Sequence, residues 1–277
     1  MKDGRAFSFE FSPPKTPEGV ERLRATWKQL AQLEPEFFSV TYGAGGSTRE
    51  GTLSTVLEIR GAGHHAAPHL SCVASTKAQL AEMIQQYRAH GIRHIVALRG
   101  DLPSGLATSG EFRYASELVA FIRELTGDWF RIEVACYPEY HPQAKKPQQD
   151  LQAFKAKVDA GANGALTQYF YNPDAYFNFV DQARAIGIEV PIVPGIMPIN
   201  NFSQLARFSD ACGAEIPRWM RVKLEAFGDD SASIKAFGLD VVTELCAKLL
   251  AGGAPGLHFY TMNMAGPTST IWHRLGL

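Results

Sequence analysis

The architecture of this chain can be worked out from residues 94–101, whose sequence is His-Ile-Val-Ala-Leu-Arg-Gly-Asp. An unbroken apolar run that stops at glycine is typical of a parallel β-strand covered on both faces, because neither face contacts water. Arg99 and Asp101 then stand at the C-terminal end of this strand, where parallel α/β folds bind their ligands. Taken alone, the charged pair is better explained by a solvated loop, so the rest of the chain must be considered.

Composition limits the classes of protein to which the chain can belong. It has 277 residues, 45% hydrophobic and 20% charged, which suits one large domain or two small ones with an ample core. A formal net charge of -1 gives no electrostatic case for binding nucleic acid or an acidic membrane, and no apolar run is long enough to span a bilayer. The four cysteines lack metal-ligand spacing, which predicts reduced, mostly buried thiols in a cytoplasmic protein.

Segments with the periodicities of strands and helices alternate along the whole chain. We predict strands at residues 7–11, 37–41, 67–73, 94–101, 131–137, 165–170, 191–196 and 256–261. Helical spacing follows them at 17–33, 48–60, 76–90, 111–125, around 150–158, at 173–186, 202–211 and 231–251, and in a short stretch that ends at 277, with an irregular region at 217–219. Eight strand–helix pairs predict an α/β fold, a single (β/α)8 TIM barrel over residues 1–277. A doubly wound sheet would call for a GxGxxG fingerprint after a strand, and none is present.

The first strand places one carboxylate in an unusual position. Its sequence, Phe7-Ser8-Phe9-Glu10-Phe11, alternates so that the three phenylalanines share one face and Ser8 and Glu10 share the other. In an open sheet the second face would meet solvent. In a closed barrel it would be the interior, where a carboxylate is costly unless it has a function.

Polar side chains gather at one end of the predicted barrel. The residues near the C-terminal ends of strands one to six are Glu10, Thr41, His69, Asp101, Tyr137, His141 and Gln168. This many convergent groups indicate an active site for a small polar substrate, without specifying the reaction.

Two further motifs, a group of histidines and a glycine-rich turn, could indicate ligand sites. The histidines at 64, 65 and 69 supply neither a helical i, i+4 pair nor a carboxylate partner, so we expect no metal site and place His64 and His65 on a loop surface. The glycine-rich turn at 42–47 lacks a Gly-Lys-Ser/Thr ending, and it suits a ligand loop and an empty tight turn equally well.

Several longer blocks occur in an order that resembles the methylenetetrahydrofolate reductase family. They are Phe-Glu-Phe-Ser-Pro-Pro-Lys at 9–15, Ser-Val-Thr-Tyr-Gly-Ala at 39–44, Ala-Pro-His-Leu at 67–70, Ile-Arg-His-Ile-Val-Ala-Leu-Arg-Gly-Asp at 92–101, Tyr-Pro-Glu-Tyr-His-Pro at 137–142, Lys-Val-Asp-Ala-Gly-Ala at 157–162, Thr-Gln at 167–168 and His-Phe-Tyr-Thr at 258–261. The resemblance covers essentially the whole chain. It implies a TIM barrel with FAD that reduces 5,10-methylenetetrahydrofolate with electrons from NADH or NADPH, in a cytoplasmic homo-oligomer of one-carbon metabolism.

The resemblance also implies which residues line the flavin. This flavin-lining set consists of Thr41, Tyr42, Ala44, His69, Arg99, Gly100, Asp101, Tyr114, Ala115, Tyr137, His141, Ala144, Asp150 and Lys157. Lys157, Arg99 and His141 are natural partners for the oxygens of the pyrophosphate or ribose. Asp150 and Lys157, two turns apart on one helix, would otherwise be explained as a solvated rim.

The remaining roles implied by the resemblance concern the folate. Gln168 matches the residue that holds the pterin, and Phe202 matches the ring that stacks on folate or nicotinamide. Glu10 matches the general acid, and an apolar environment is expected to keep it protonated. Asp101 matches a catalytic-site acid beside the flavin that tunes charge rather than transferring a proton.

One departure from the family keeps other functions open. Met264 stands where the family usually has arginine, which contacts substrate or nicotinamide, and Ala153 and Ala156 stand where relatives can carry polar flavin contacts. One alternative is therefore an FAD- and folate-binding barrel that takes electrons from a partner protein. The other is a flavin-free, pterin-binding methyltransferase barrel, which would have no reason to keep the flavin-lining residues together.

Overall fold

The computed structural model of the chain describes residues 4–43, 48–101 and 110–277. Its strands are β1 (Ala6–Phe11), β2 (Phe37–Val40), β3 (Ala66–Ser71), β4 (His94–Leu98), β5 (Arg131–Cys136), β6 (Gly164–Thr167), β7 (Ile192–Val193), β8 (Gly195–Ile196) and β9 (Gly256–Tyr260). Its helices are α1 (Pro17–Ala31), α2 (Arg49–Gly61), α3 (Lys77–Ala89), α4 (Ala115–Thr126), α5 (Pro147–Asp159), α6 (Pro173–Ala185), α7 (Phe202–Cys212), α8 (Arg218–Ala226), α9 (Ser231–Ala251) and α10 (Ala265–Arg274).

These strands form the predicted barrel. The sheet order is β7-β6-β5-β4-β3-β2-β1-β9-β8, and all the strand pairs are parallel. β7 and β8 are two halves of the predicted seventh strand, separated by Pro194, which has no backbone N–H to donate. One half pairs with β6 and the other with β9, so this strand closes the sheet. The eight predicted strands are confirmed, one of them in two pieces.

The two faces of β1 separate as the alternation predicts. Phe9 packs outward against Trp272 of α10, with ring centroids 5.8 Å apart, and Phe11 stacks on Phe38 at 5.5 Å. Ser8 and Glu10 instead make their polar contacts with side chains of other strands inside the barrel. The apolar filling of the interior is a small separate cluster, formed by Phe37, Ala67, Val96, Leu166 and Val193.

Some predicted boundaries are wrong for identifiable reasons. β4 ends at Leu98 rather than at residue 101, because Gly100 has a φ of 83° that an extended strand cannot continue. The region at 217–219 is not irregular, since α8 begins at Arg218 directly after Pro217 and buries Met220 and Leu224, four residues apart. The prediction that His64 lies on a loop surface is incomplete, because its side chain is half-buried.

The ring of His64 packs edge-on against Trp27 at 6.1 Å and Phe38 at 5.9 Å, beneath the loop that leads into β3. All four cysteines are free thiols and three are buried, as the sequence predicts. Within the described ranges, no helix combines the length and the apolar character needed to cross a membrane.

The N-terminal end of the barrel is closed by a charged cluster. The buried carboxylate of Glu133 on β5 lies 2.9 Å from Arg131 Nε and 3.6 Å from His94 Nε2, and Arg131 also contacts Glu36 at 3.3 Å. Burial raises the pKa of Glu133, but His94 and Arg131 more than offset this and lower it below its ordinary value. This end of a TIM barrel serves stability, and the cluster is consistent with that role.

Candidate active site

Three polar groups converge on one oxygen of Glu10, near the C-terminal end of β1. Glu10 Oε2 lies 3.2 Å from Nε2 of His69 on β3, 3.3 Å from Nε2 of His258 on β9, and 3.5 Å from the hydroxyl of Ser39 on β2. The Glu10 side chain is 15% exposed. Neighbouring strands of a parallel barrel place alternate side chains inward at one level, so residues far apart in sequence meet here.

The two imidazoles beside Glu10 are held differently. His258 is fully buried, and its Nδ1 lies 2.7 Å from the Ser8 hydroxyl while its Nε2 faces Glu10, so both ring nitrogens have partners. His69 is 6% exposed, and its Nε2 is within ion-pair distance of Glu10 without an aligned hydrogen bond. His258 is therefore fixed at both ends, whereas His69 is held less tightly.

The charge state of Glu10 differs from the one that the sequence predicts. Burial raises the pKa of Glu10, but the two nearby imidazoles of His69 and His258 outweigh this effect and lower the pKa to about 2. The expectation of an apolar environment that keeps Glu10 protonated is wrong. The carboxylate is paired because β3 and β9 each contribute an imidazole to the same point.

A second cluster lies at the ends of β4 and β5 and on α5. Lys157 Nζ donates to the carbonyl of Ala135 at 2.5 Å, and Asp150 Oδ2 accepts from the backbone N–H of His141 at 3.1 Å. Tyr137 and His141 meet edge to face with ring centroids 4.7 Å apart. The structure thus brings together the Asp150 and Lys157 pair and the aromatic segment that follows β5.

This second cluster is rich in hydrogen-bond donors with few internal partners. Burial lowers the pKa of the Lys157 ammonium, and burial together with the nearby Arg99 guanidinium lowers the pKa of His141. The Nδ1 atom of His141 accepts from the N–H of Gln143 at 3.0 Å, which leaves Nε2 as the donor. Such a set of donors suits an anionic ligand.

Other members of the flavin-lining set are spread along the same rim. The hydroxyl of Thr41 lies 3.2 Å from that of Ser12, and Tyr42 is half-buried against the core. Tyr114 is 60% exposed where α4 begins, followed by Ala115, and Ala144 N donates to the carbonyl of His141. Asp101 is exposed, and Ala44 lies outside the described residues.

The predicted folate contacts lie after β6 and at the start of α7. Gln168 follows β6, and its Oε1 accepts from the N–H of Tyr169 at 3.0 Å, which leaves the amide N–H groups as donors for a ligand. Phe202 is half-buried at the start of α7, which Asn201 caps. Beside it is a cleft of about 260 Å³ lined by Met197, Pro198, Asn200, Asn201, Gln204, Leu205, Phe208 and Met262.

Family membership follows from comparison of the whole chain. The family model for methylenetetrahydrofolate reductase matches residues 2–276. The chain belongs to the methylenetetrahydrofolate reductase family. It is 43% identical to the 5,10-methylenetetrahydrofolate reductases of Salmonella typhimurium and Escherichia coli, over 98% of this chain and 90% of theirs. It is 40% identical to methylenetetrahydrofolate reductase (NADH) 1 of Arabidopsis thaliana, over 98% of this chain and 48% of that one.

A solved structure agrees with the fold of this chain. An uncharacterized protein from Clostridium thermocellum that binds two copies of 5-methyl-5,6,7,8-tetrahydrofolic acid aligns with a TM-score of 0.68 and 15% identity. The alignment covers 97% of this chain and 93% of that protein. At this identity the likeness supports the barrel alone.

Several residues around Glu10 were not predicted from the sequence. His258 and Ser8 were not predicted as partners of Glu10, although the alternation of β9 could have placed His258 and Tyr260 on the inner face. The Tyr260 hydroxyl crosses the barrel and donates to the carbonyl of Thr167 at 2.6 Å. It forms part of the floor of the opening.

Proposed function

We propose that this member of the family converts 5,10-methylenetetrahydrofolate to 5-methyltetrahydrofolate, with FAD as its cofactor and NADH or NADPH as the electron donor. The observation that supports this most directly is the carboxylate of Glu10, held inside the barrel by His69 and His258 at the mouth that also carries the donor cluster of Lys157. A redox cofactor and an acid beside one opening are what the reaction requires.

The donor cluster fits the proposed FAD. Among the described residues, the half-buried ammonium of Lys157 donates to one carbonyl and has the carboxylate of Asp150 at longer range, so its charge is poorly neutralised. A diphosphate would supply the missing negative charge. Lys157, Arg99 and His141 would hold the phosphate and ribose oxygens, and the rest of the flavin-lining set would hold the rings. When bound, FAD would supply hydride transfer between the nucleotide and the folate.

Glu10 is proposed as the general acid. The five-membered ring of the substrate has to open to an iminium before its carbon can accept hydride, and opening requires a proton on the leaving nitrogen. Glu10 Oε2 is engaged by His69, His258 and Ser39, so the acid would present Oε1 to the substrate. A positioned general acid contributes about 100- to 10,000-fold in rate.

The other proposed roles orient the substrate. The amide N–H groups of Gln168 would donate to the pterin, since its oxygen is already used by Tyr169. The ring of Phe202 would stack on folate or nicotinamide at the edge of the α7 cleft. Asp101, exposed at the mouth, would place a negative charge that stabilises the cationic iminium without giving up a proton.

The experiment separates the two halves of the reaction. Purified protein should be yellow, should bleach anaerobically with NADH or NADPH, and should recover its colour when methylenetetrahydrofolate is added. Glu10→Gln should bleach at a nearly normal rate but recover about 100- to 10,000-fold more slowly. Glu133→Gln, which alters a buried carboxylate beside a histidine at the other end of the barrel, is the matched control.

Each contrary result has a distinct meaning. Equal loss in both half-reactions of Glu10→Gln would contradict its role as the acid. A colourless protein that takes up no FAD would favour the flavin-free methyltransferase. Colour that neither nucleotide can bleach would favour electron input from a partner protein, the function left open by Met264.

A further inference from the structure

The reaction proposed above consumes one proton per turnover, and Glu10 has to regain it. In the described chain, the polar groups that lie within 3.5 Å of its carboxylate are His69 Nε2, His258 Nε2 and the Ser39 hydroxyl. Ser39 is fully buried, and an alcohol is a far weaker acid than a carboxyl group. The choice therefore falls between the two imidazoles.

The partners of His258 make it a poor proton source. Its Nδ1 is bonded to the Ser8 hydroxyl, which is 2% exposed and lies deeper in the barrel. A proton passed from His258 to Glu10 could be replaced only through this buried serine. His258 therefore suits a fixed hydrogen-bond donor that orients the carboxylate.

His69 has the opposite character. Its Nε2 is buried, lies 3.2 Å from Glu10 Oε2, and lacks an aligned hydrogen bond to any described residue. An imidazole that is near a carboxylate but not locked to it can form and break this contact during each cycle. His69 also lies on β3, whose C-terminal end opens at the mouth of the barrel.

We propose that His69 resupplies the catalytic proton by protonating Glu10 at Oε2 after each turnover. This rests on the proposed role of Glu10 as the acid. In the step, the His69 Nε2–H bond breaks and a Glu10 Oε2–H bond forms. A half-turn of the carboxyl group then brings the protonated oxygen to the substrate side, and the neutral imidazole regains a proton from water. No electrons are transferred. Because His69 acts through Glu10, it is a positioning residue rather than a catalytic one.

The ionisable groups around the pair are few. Glu10 faces His69 from β3 and His258 from β9, and the Tyr260 phenol on β9 interacts electrostatically with Glu10. His258 and Tyr260 are unchanged in the test below. A change in pH dependence on altering His69 would therefore report on the His69 and Glu10 pair.

The test is the pH profile of colour recovery with methylenetetrahydrofolate in His69→Gln. Without the imidazole, Glu10 would have to take its proton directly from solvent, so the alkaline midpoint of colour recovery should move to lower pH. Above that midpoint, recovery should be about 100-fold slower than in wild type, the lower end of what a positioned proton donor contributes, and added imidazole should restore it in part. An unchanged midpoint would overturn the proposal.

His94→Gln is the matched control. His94 Nε2 also lacks an aligned hydrogen bond and lies 3.6 Å from a buried carboxylate, that of Glu133, at the opposite end of the barrel. This variant should keep the wild-type midpoint. The same displacement in both variants would show a structural effect and contradict the proposal.

A second measurement does not depend on activity or on bound flavin. In ¹⁵N-histidine NMR of the flavin-free protein, the titration curve of the His69 ring should change in Glu10→Gln and stay as in wild type in Glu133→Gln. An identical curve in all three proteins would refute the coupling, even if His69→Gln failed to fold. If Glu10→Gln itself recovered colour normally, the proposed acid would fail first, and that result is distinct from failure of the His69 step alone.

Discussion

The pairing of Glu10 with two imidazoles predicts a specific loss of stability in acid. Its pKa falls from 4.5 to about 2 on folding, so the ionised carboxylate stabilises the native state above pH 4.5 and this contribution is lost as the pH falls towards 2. A pKa shift of this size contributes about 3 kcal/mol to the free energy of unfolding at neutral pH, and about 2 kcal/mol of that would be lost by pH 3. Glu10→Gln lacks the titrating group and should not show this part of the decline.

The measurement is urea unfolding of wild type and Glu10→Gln at several values between pH 6 and pH 3, followed by tryptophan fluorescence. Other carboxylates, such as Glu133, titrate equally in both proteins, so the difference between the two curves isolates Glu10. Glu244→Gln, which removes an exposed partner of Lys248, should follow wild type. Parallel curves for wild type and Glu10→Gln would refute the pairing.

Three further substitutions test the frame around the site. Arg123→Lys should lower the free energy of unfolding, measured by urea titration, by about 2–3 kcal/mol. The guanidinium donates to several backbone carbonyls, with two bonds to that of Gly161, and an ammonium cannot reach all of them at once. Gly100→Ala should lower the free energy of unfolding by about 1–3 kcal/mol and weaken FAD retention, because the φ of Gly100 is 83° and an added Cβ would lie 1.9 Å from Ser71 Oγ. Thermal unfolding and an assay of bound flavin measure the two effects. Tyr260→Phe should lower the free energy of unfolding by about 1–3 kcal/mol, because the Thr167 carbonyl of β6 loses its hydrogen-bond donor. Urea unfolding measures this, and an unchanged midpoint would show that water replaces the bond.

Local patterns in the sequence were enough to predict the barrel and to predict that the side chain of Glu10 points into it. Alternation within five residues separates the phenylalanines from Ser8 and Glu10, and periodicity places the eight strands, because both depend on neighbours in the chain. The split of the seventh strand at Pro194 was not predicted. It depends on which neighbour each half joins, and strand pairing is a property of the closed sheet rather than of the segment.

The charge state of Glu10 also could not be predicted from local patterns in the sequence. Glu10 and His258 are 248 positions apart in the chain and meet only because β1 pairs with β9. The pKa of a buried carboxylate depends on such partners more than on its apolar surroundings, so expecting a protonated acid from burial alone gave the wrong sign. The clustering of Asp150 with His141 was predictable only through the family resemblance.

The contact between the first strand and the last helix has a consequence for synthesis. Phe7 and Phe9 rest against Trp272, with ring centroids 4.9 Å and 5.8 Å apart, and one edge of β1 is covered only by β9. On the ribosome, β1 is made well before β9 and α10, so its edge and its outer face stay unprotected until those two elements follow. Nascent chains of this protein would depend on chaperones or on transient local structure to keep that edge from pairing with another chain.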